Sequence, residues 1–276
     1  MLGALIIVFR EVIEAGLIIG IVMAATRGVV GRGRWINIGI IGGVLGAAIV
    51  AMFAGVISDA FEGAGQELFN ASVLGAAVIM LMWHNAWIAR HGREIADEMR
   101  RVGSEVSEGA KPLTALAIVV GLAVLREGSE VVLFLYGIMA SGTSGSALVV
   151  GGLLGIAAGV AFSALTYFGL LAIPNRYIFS VTSWLIALLA AGMAAQAVHF
   201  LNNAGLVVAL DRTMWDTSWL LSEGSILGRM LHALIGYTER PTEMQLMVYI
   251  ATLLAMFLLM RVARPSPRPR LPAAAE

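Results

Sequence analysis

"VFREVIEAGLIIGIVMA" (residues 8–24) and "VLREGSEVVLFLYGIMA" (124–140) read as one helix written twice. Slid onto each other by 116 positions, Val8, Arg10, Glu11, Glu14, Leu17, Met23 and Ala24 meet identical residues. Both copies set an arginine and two glutamates inside an apolar run. On insertion scales a charge at the bilayer centre costs about 2.5–3.5 kcal/mol. A duplicated cluster of such residues therefore asks for a chemical reason.

The surrounding composition makes the bilayer the relevant solvent. Of 276 residues, 59% are hydrophobic and 13% charged, and the mean hydropathy is +0.88. Soluble domains carry about 25% charged residues. No cysteine is present, which excludes disulfides, iron–sulfur clusters and thiolate metal sites. Met1–Val8 lacks the basic segment of a cleavable leader, so the first spanning helix is expected to start there.

A span needs about 20 mainly apolar residues, and seven segments meet that length: 2–26, 35–58, 68–90, 113–140, 147–172, 178–201 and 245–262. Thirteen of the 18 basic residues fall on one side, in the loops after spans 1, 3 and 5 and after span 7. The positive-inside rule makes that side cytoplasmic, with the N-terminus outside and the C-terminus inside. The expected fold is an all-α polytopic membrane protein with seven transmembrane helices. Its parts are a first three-helix repeat (1–90), a cytoplasmic connector (91–112), a second repeat (113–202), an extracytoplasmic loop with an interfacial helix (203–244), a seventh helix (245–263) and a disordered basic tail (264–276). In the connector, Arg93/Asp97 and Asp97/Arg101 are spaced as ion pairs on a solvated extension of helix 3.

The repeat continues past the motif. "GGVLGAA" (42–48) resembles "GGLLGIA" (151–157), and His84 matches His199 at an offset of 115. Three spans per half is an odd number, so the halves lie in the membrane with opposite orientation. Inverted repeats of this kind mark transporters, with the substrate site near the midplane where the repeats meet. Gly39/Gly43, Gly42/Gly46 and Gly151/Gly155 have the four-residue spacing of close helix contacts.

At 100° per residue, Glu14 falls about 40° and Glu11 about 100° from Arg10, so all three share one helix face. Arg126, Glu127 and Glu130 repeat the arrangement. Carboxylates are hard oxygen donors suited to hard cations. The arginines hold them in place and offset their repulsion. The expected metal site is Glu11, Glu14, Glu127 and Glu130, with Arg10 and Arg126 as supporting charge. Two other readings stay open: a pair of Arg–Glu bridges locking helices 1 and 4, and a proton relay.

Candidate entrance or secondary ligands are Glu62 and Glu67 before helix 3, His84, Gln196 and His199 in the spans, and Glu223 in the outer loop. The 14 methionines are scattered and read as packing. The run "SILGRMLHALIGY" (225–237) is amphipathic and short for a span, the pattern of an interfacial helix.

Two R-E-x-x-E motifs, "REVIE" (10–14) and "REGSE" (126–130), in the first and fourth of seven spans resemble the oxidase-dependent iron permease family, in its bacterial EfeU-type branch. "FEGAGQELF" (61–69) and "WDTSWLLSEGSILGRMLHALIGYTERP" (215–241) are similar to the family's segments before the third and the last helix. The resemblance implies a permease of the bacterial inner membrane importing iron. Fe(III) would be made from Fe(II) by a periplasmic iron-oxidising or iron-delivering partner. The motif glutamates would be ligands, and Glu62 and Glu67 outer handover residues. Iron is then cargo, and no permanent cofactor and no nucleic-acid partner are expected.

Transport of another divalent ion, Mn or Pb, is the neighbouring reading. An intramembrane enzyme is a more distant one, because H-E-x-x-H is absent and no Ser/His/Asp set or nucleotide loop is evident. A membrane sensor would carry a signalling domain that the sequence does not show.

Overall fold

The structure, a computed structural model, describes residues 1–60, 66–169, 175–207 and 209–263. Among the described residues eight helices follow in order: α1 (Leu2–Ala25), α2 (Arg32–Ala60), α3 (Gln66–Ser107), α4 (Thr114–Ala140), α5 (Gly145–Tyr167), α6 (Asn175–Asn203), α7 (Ile226–Ile235) and α8 (Glu243–Ala263). Among the described residues the extended structure amounts to an isolated bridge between Thr213 and Thr242.

Among the described residues five helices are long and apolar enough to cross a membrane, namely α2, α3, α5, α6 and α8. The helices α1 and α4, of 24 and 27 residues, are at least as long as those spans and bear the charged motifs. Large apolar side chains face outward along the apolar helices, among them Met52 (72% exposed) on α2 and Trp83 (71%) on α3. In water such faces would demand a partner; in lipid they are solvated. At 42 residues, α3 extends about 63 Å, twice the hydrocarbon thickness, and its second half is a charged rod buried along one side, where Val102 and Val106 are 4% and 5% exposed. The ion pairs on this rod differ from those expected. Asp97 meets Arg100 and Glu98 meets Arg101, at 2.7 and 2.6 Å. Three-residue spacing therefore prevails there, and the Arg93 side chain lies outside the described residues.

Helix α2 packs chiefly on α4 and α1 on α5, while α3 lies on α6 and α6 on α8. Glycines set the first two distances. A Cβ on Gly43 would come within 2.7 Å of Gly121 O and of Val124 Cβ, and within 2.9 Å of Leu125 N. A Cβ on Gly155 would come within 2.8 Å of Leu5 O and of Val8 Cβ, and within 3.1 Å of Phe9 N. The partners 121, 124 and 125 are 5, 8 and 9 moved by the offset of the charged motif. Likewise Gly39 rests on Ala117 and Gly151 on Met1.

The contacts thus pair Gly39 with Gly151 and Gly43 with Gly155. The sequence slide instead pairs Gly42 with Gly151, three residues away. Gly42 has no heavy atom within 4 Å of a Cβ placed there, so its expected close contact does not form. A glycine-rich helix matches itself in several registers, and only the facing helix selects one.

Two apolar clusters bracket the charged residues. One gathers Ala4, Ile7, Leu74, Leu81, Phe134, Ile138 and residues of α6 and α8. The other gathers Val22, Ile36, Val106, Leu116 and Val120. Along α1, α3 and α4 alike, the polar layer falls between members of the two clusters.

The segment between α6 and α8 is folded on itself. Glu223 and Glu239 clasp reciprocally, each carboxylate accepting the other's backbone N–H, at 3.0 and 3.2 Å. Helix α7 is capped by Ser225, whose hydroxyl accepts from Gly228 N at 2.9 Å. It ends at Gly236, whose left-handed φ of 69° suits glycine. Gly236 packs directly on Gly192 of α6, an approach that leaves no room for a side chain on either.

Candidate metal centre

Helical spacing brings each arginine onto the glutamate one turn later. Arg10 Nε lies 2.9 Å from Glu14 and Nη1 3.6 Å from Glu11, and Nη2 donates to Asn85 Oδ1 at 3.2 Å. On α4, Arg126 Nε lies 3.2 Å from Glu130 and 3.9 Å from Glu127. Its guanidinium stacks over the Trp87 ring, 4.0 Å from the centroid. Asn85 also accepts from Ser183 of α6 at 3.2 Å, so one buried amide links α1, α3 and α6.

His84, one turn before Trp87 on α3, stands between the two motifs. Its Nε2 lies 3.4 Å from Glu14 and 3.7 Å from Glu11, and its Nδ1 contacts Glu130. One donor atom from each of Glu11, His84, Glu127 and Glu130 falls within 4.8 Å of the others. Donors opposite each other around a first-row ion stand about 4.2 Å apart, twice a bond of about 2.1 Å, so the set is close to ligand spacing. Glu14 stands beside these four, held by Arg10 and facing His84.

Both Glu11 oxygens and Glu127 Oε2 are buried without a hydrogen-bond donor. Buried carboxylate oxygens ordinarily find one. Four glutamates against two arginines leave a formal excess of negative charge in a largely buried cluster, which a cation would neutralise.

The remaining sequence candidates lie elsewhere. Glu67 opens α3, seventeen residues before His84 and so about 25 Å along the helix, with its Oε2 buried. Glu62 lies outside the described residues. His199 is exposed and meets Asn203 at 3.3 Å, so the sequence match with His84 does not place the two alike. Gln196 lines a cleft of about 20 Å³ with Ser141, His232 and Gly236. Glu223 is occupied in its clasp with Glu239. Asn85, Ser183 and Trp87 were not singled out in the sequence; a polar Asn beside a His in an apolar run was the available signal for the first. A larger cavity, about 420 Å³, runs between α1 and α5 from Ile13 and Gly16 to Ala24, with Ser163, Tyr167 and Arg100 on its walls.

Membrane-length helices around a buried layer of carboxylates and one imidazole define a multi-pass integral membrane protein with an internal cluster of cation-binding character. The Iron permease FTR1 family matches residues 1–264, and the chain belongs to that family. It is 32% identical over 254 residues to the Ferrous iron permease EfeU of Escherichia coli, covering 90% of this chain and 91% of the relative. The protein of the same name from Shigella sonnei is 31% identical over 253 residues, with the same coverage. That of Yersinia pestis is 28% identical over 258 residues, covering 92% and 91%. No solved structure matches the chain.

Proposed function

We propose that this protein imports iron across the bacterial inner membrane through a midplane site formed by the two R-E-x-x-E motifs. The observation that carries the proposal is the cluster of donor-poor buried carboxylates contributed by both motifs in a chain of the iron permease family. Named relatives are ferrous iron permeases. In this reading Fe(II) is the ion offered outside, a separate periplasmic protein oxidises or delivers it, and Fe(III) enters the site. The excess negative charge of the motifs favours the higher cation charge.

Seven spans follow from counting α1 and α4 with the five apolar helices, and the side of the basic loops places the N-terminus outside. Two three-helix halves of opposite orientation are supported by the matched glycine seats of Gly43 on α4 and Gly155 on α1. Rocking of the halves about the site would expose it alternately to each side. The cavity between α1 and α5 starts one residue before Glu14 and follows the half of α1 that leads to the basic side. It serves as the inward path.

The test is radioactive iron uptake into cells lacking other iron importers, with Fe(II) and Fe(III) supplied separately and Mn(II) as competitor. Saturable uptake that disappears in a Glu14→Gln/Glu130→Gln double variant of normal abundance supports the reading. Undiminished uptake in that variant refutes it.

A further inference from the structure

His84 belongs to neither motif, yet its side chain touches both. Its ring is 2% exposed, and the groups facing its two nitrogens are carboxylates of Glu11 and Glu14 from α1 and Glu130 from α4. The other buried or half-buried imidazoles differ. His91 Nδ1 is satisfied by Trp87 O at 3.1 Å, and His232 Nδ1 by Tyr237 O at 2.8 Å. Those contacts are the backbone anchors of structural histidines. His84 makes none, and its ring is set on edge against Phe134, with centroids 6.5 Å apart and planes at 80°. The adjacent Asn85 is tied to Arg10 and Ser183, which fixes this turn of α3 relative to α1 and α6.

A neutral imidazole has one lone pair to give and one N–H to donate. Directed at carboxylates on both edges, it is built to ligate an ion through one nitrogen while the other holds a glutamate. That is the carboxylate–histidine–metal arrangement found throughout metal sites. The nitrogen also changes which ion fits. Mg²⁺ and Ca²⁺ take oxygen ligands, and a site of glutamates alone would accept them. Imidazole favours iron and its first-row neighbours.

We infer that His84 is the nitrogen ligand through which this centre selects a first-row transition ion over Mg²⁺ and Ca²⁺. The inference rests on the reading of the paired motifs as a metal site, and the experiment separates the two.

Purified protein in detergent is loaded with Mn(II) as the probe, and pulsed EPR is read for nitrogen coupling. The wild type shows coupling from one imidazole. The chain has four histidines, so its loss in His84→Gln, with Mn(II) still bound, assigns it. His84→Asn serves as a second variant in case the first does not fold. In uptake assays the variant's iron transport becomes sensitive to Mg²⁺ and Ca²⁺, its preference falling about tenfold, the lower end of what loss of a group supporting a metal site does to affinity. Mn(II) bound to the wild type without nitrogen coupling, coupling that survives both substitutions, or no Mn(II) binding to the wild type overturns the inference. Full Mn(II) binding by Glu14→Gln/Glu130→Gln overturns the underlying reading of the motifs instead.

Discussion

Arg10 and Arg126 hold the same place in the two motifs, yet Arg10 is 2% exposed and Arg126 37%. Arg10 is surrounded by Glu11, Glu14 and Asn85. Arg126 spends one face of its guanidinium on Trp87 and reaches Glu130 with a single nitrogen. Their substitutions should therefore differ. Arg10→Ala leaves buried carboxylates uncompensated and is expected to destabilise the fold by about 3–5 kcal/mol. Arg126→Ala removes a screened pair and a cation–π contact, together about 1 kcal/mol. Thermal unfolding of the two variants in detergent checks this; equal losses would refute the asymmetry.

Packing at the glycine seats gives an internally controlled comparison. Gly43→Ala and Gly155→Ala push a methyl group onto the backbone of the facing helix and should each cost about 1–3 kcal/mol. Gly42→Ala meets nothing within 4 Å and should be neutral, or stabilising by up to about 1 kcal/mol through helix propensity. The measurement is the fraction of each variant that remains folded after a heat step.

Metal binding should be visible as stability. At 100 times its dissociation constant, a ligand that binds only the folded state adds about 2.7 kcal/mol. Mn(II) or Fe(II) is expected to raise the unfolding temperature of the wild type and to leave that of Glu14→Gln/Glu130→Gln unchanged. His199→Ala, at an exposed residue paired with Asn203, should keep the full shift and full uptake.

Gly20 borders the cavity between α1 and α5, and a Cβ there stands 3.8 Å from the Tyr167 ring. Leucine at this position would grow into the cavity without a backbone clash. Gly20→Leu is expected to retain the Mn(II)-induced stabilisation while iron uptake falls to a small fraction of wild type. Unchanged uptake would remove the cavity from the path.

The loop between α6 and α7 carries an acid-sensitive contact to the segment before α8. Asp216 is held below the ordinary 3.8 of an aspartate, first by the Ser218 hydroxyl and backbone N–H and then by Arg240. A depressed carboxylate stabilises the folded loop above its unfolded value and loses that contribution as pH falls through the folded value. Fluorescence of the flanking Trp215 and Trp219 should thus stay constant between pH 5 and 8, as far as Asp216 is concerned, and change below about pH 4. Asp216→Asn should abolish the acid-side change.

The helices themselves were legible because lipid imposes a length and an apolar composition on them. Expected ends at 113–140 and 245–262 compare with Thr114–Ala140 and Glu243–Ala263. The short helix α7 was legible from its amphipathic run, and the Arg10–Glu14 and Arg126–Glu130 contacts from the pitch of a helix. All of these are properties of one segment at a time.

The rest depends on which segments meet. The glycine register between α2 and α5 differed by three residues, since only the Leu5–Phe9 and Gly121–Leu125 surfaces distinguish one glycine face from the next. His84 and His199 correspond in sequence, yet one lies between two motifs and the other at the surface. Burial is conferred by neighbours that the residue's own helix does not encode. The sequence alone determined a membrane chain of the iron permease family with two costly charged motifs. Only the tertiary structure decided that an imidazole from α3 joins them, that one arginine is locked and the other open, and which carboxylate oxygens lack donors. Each of these is a distance between helices remote in sequence, set by how closely their small residues let them approach.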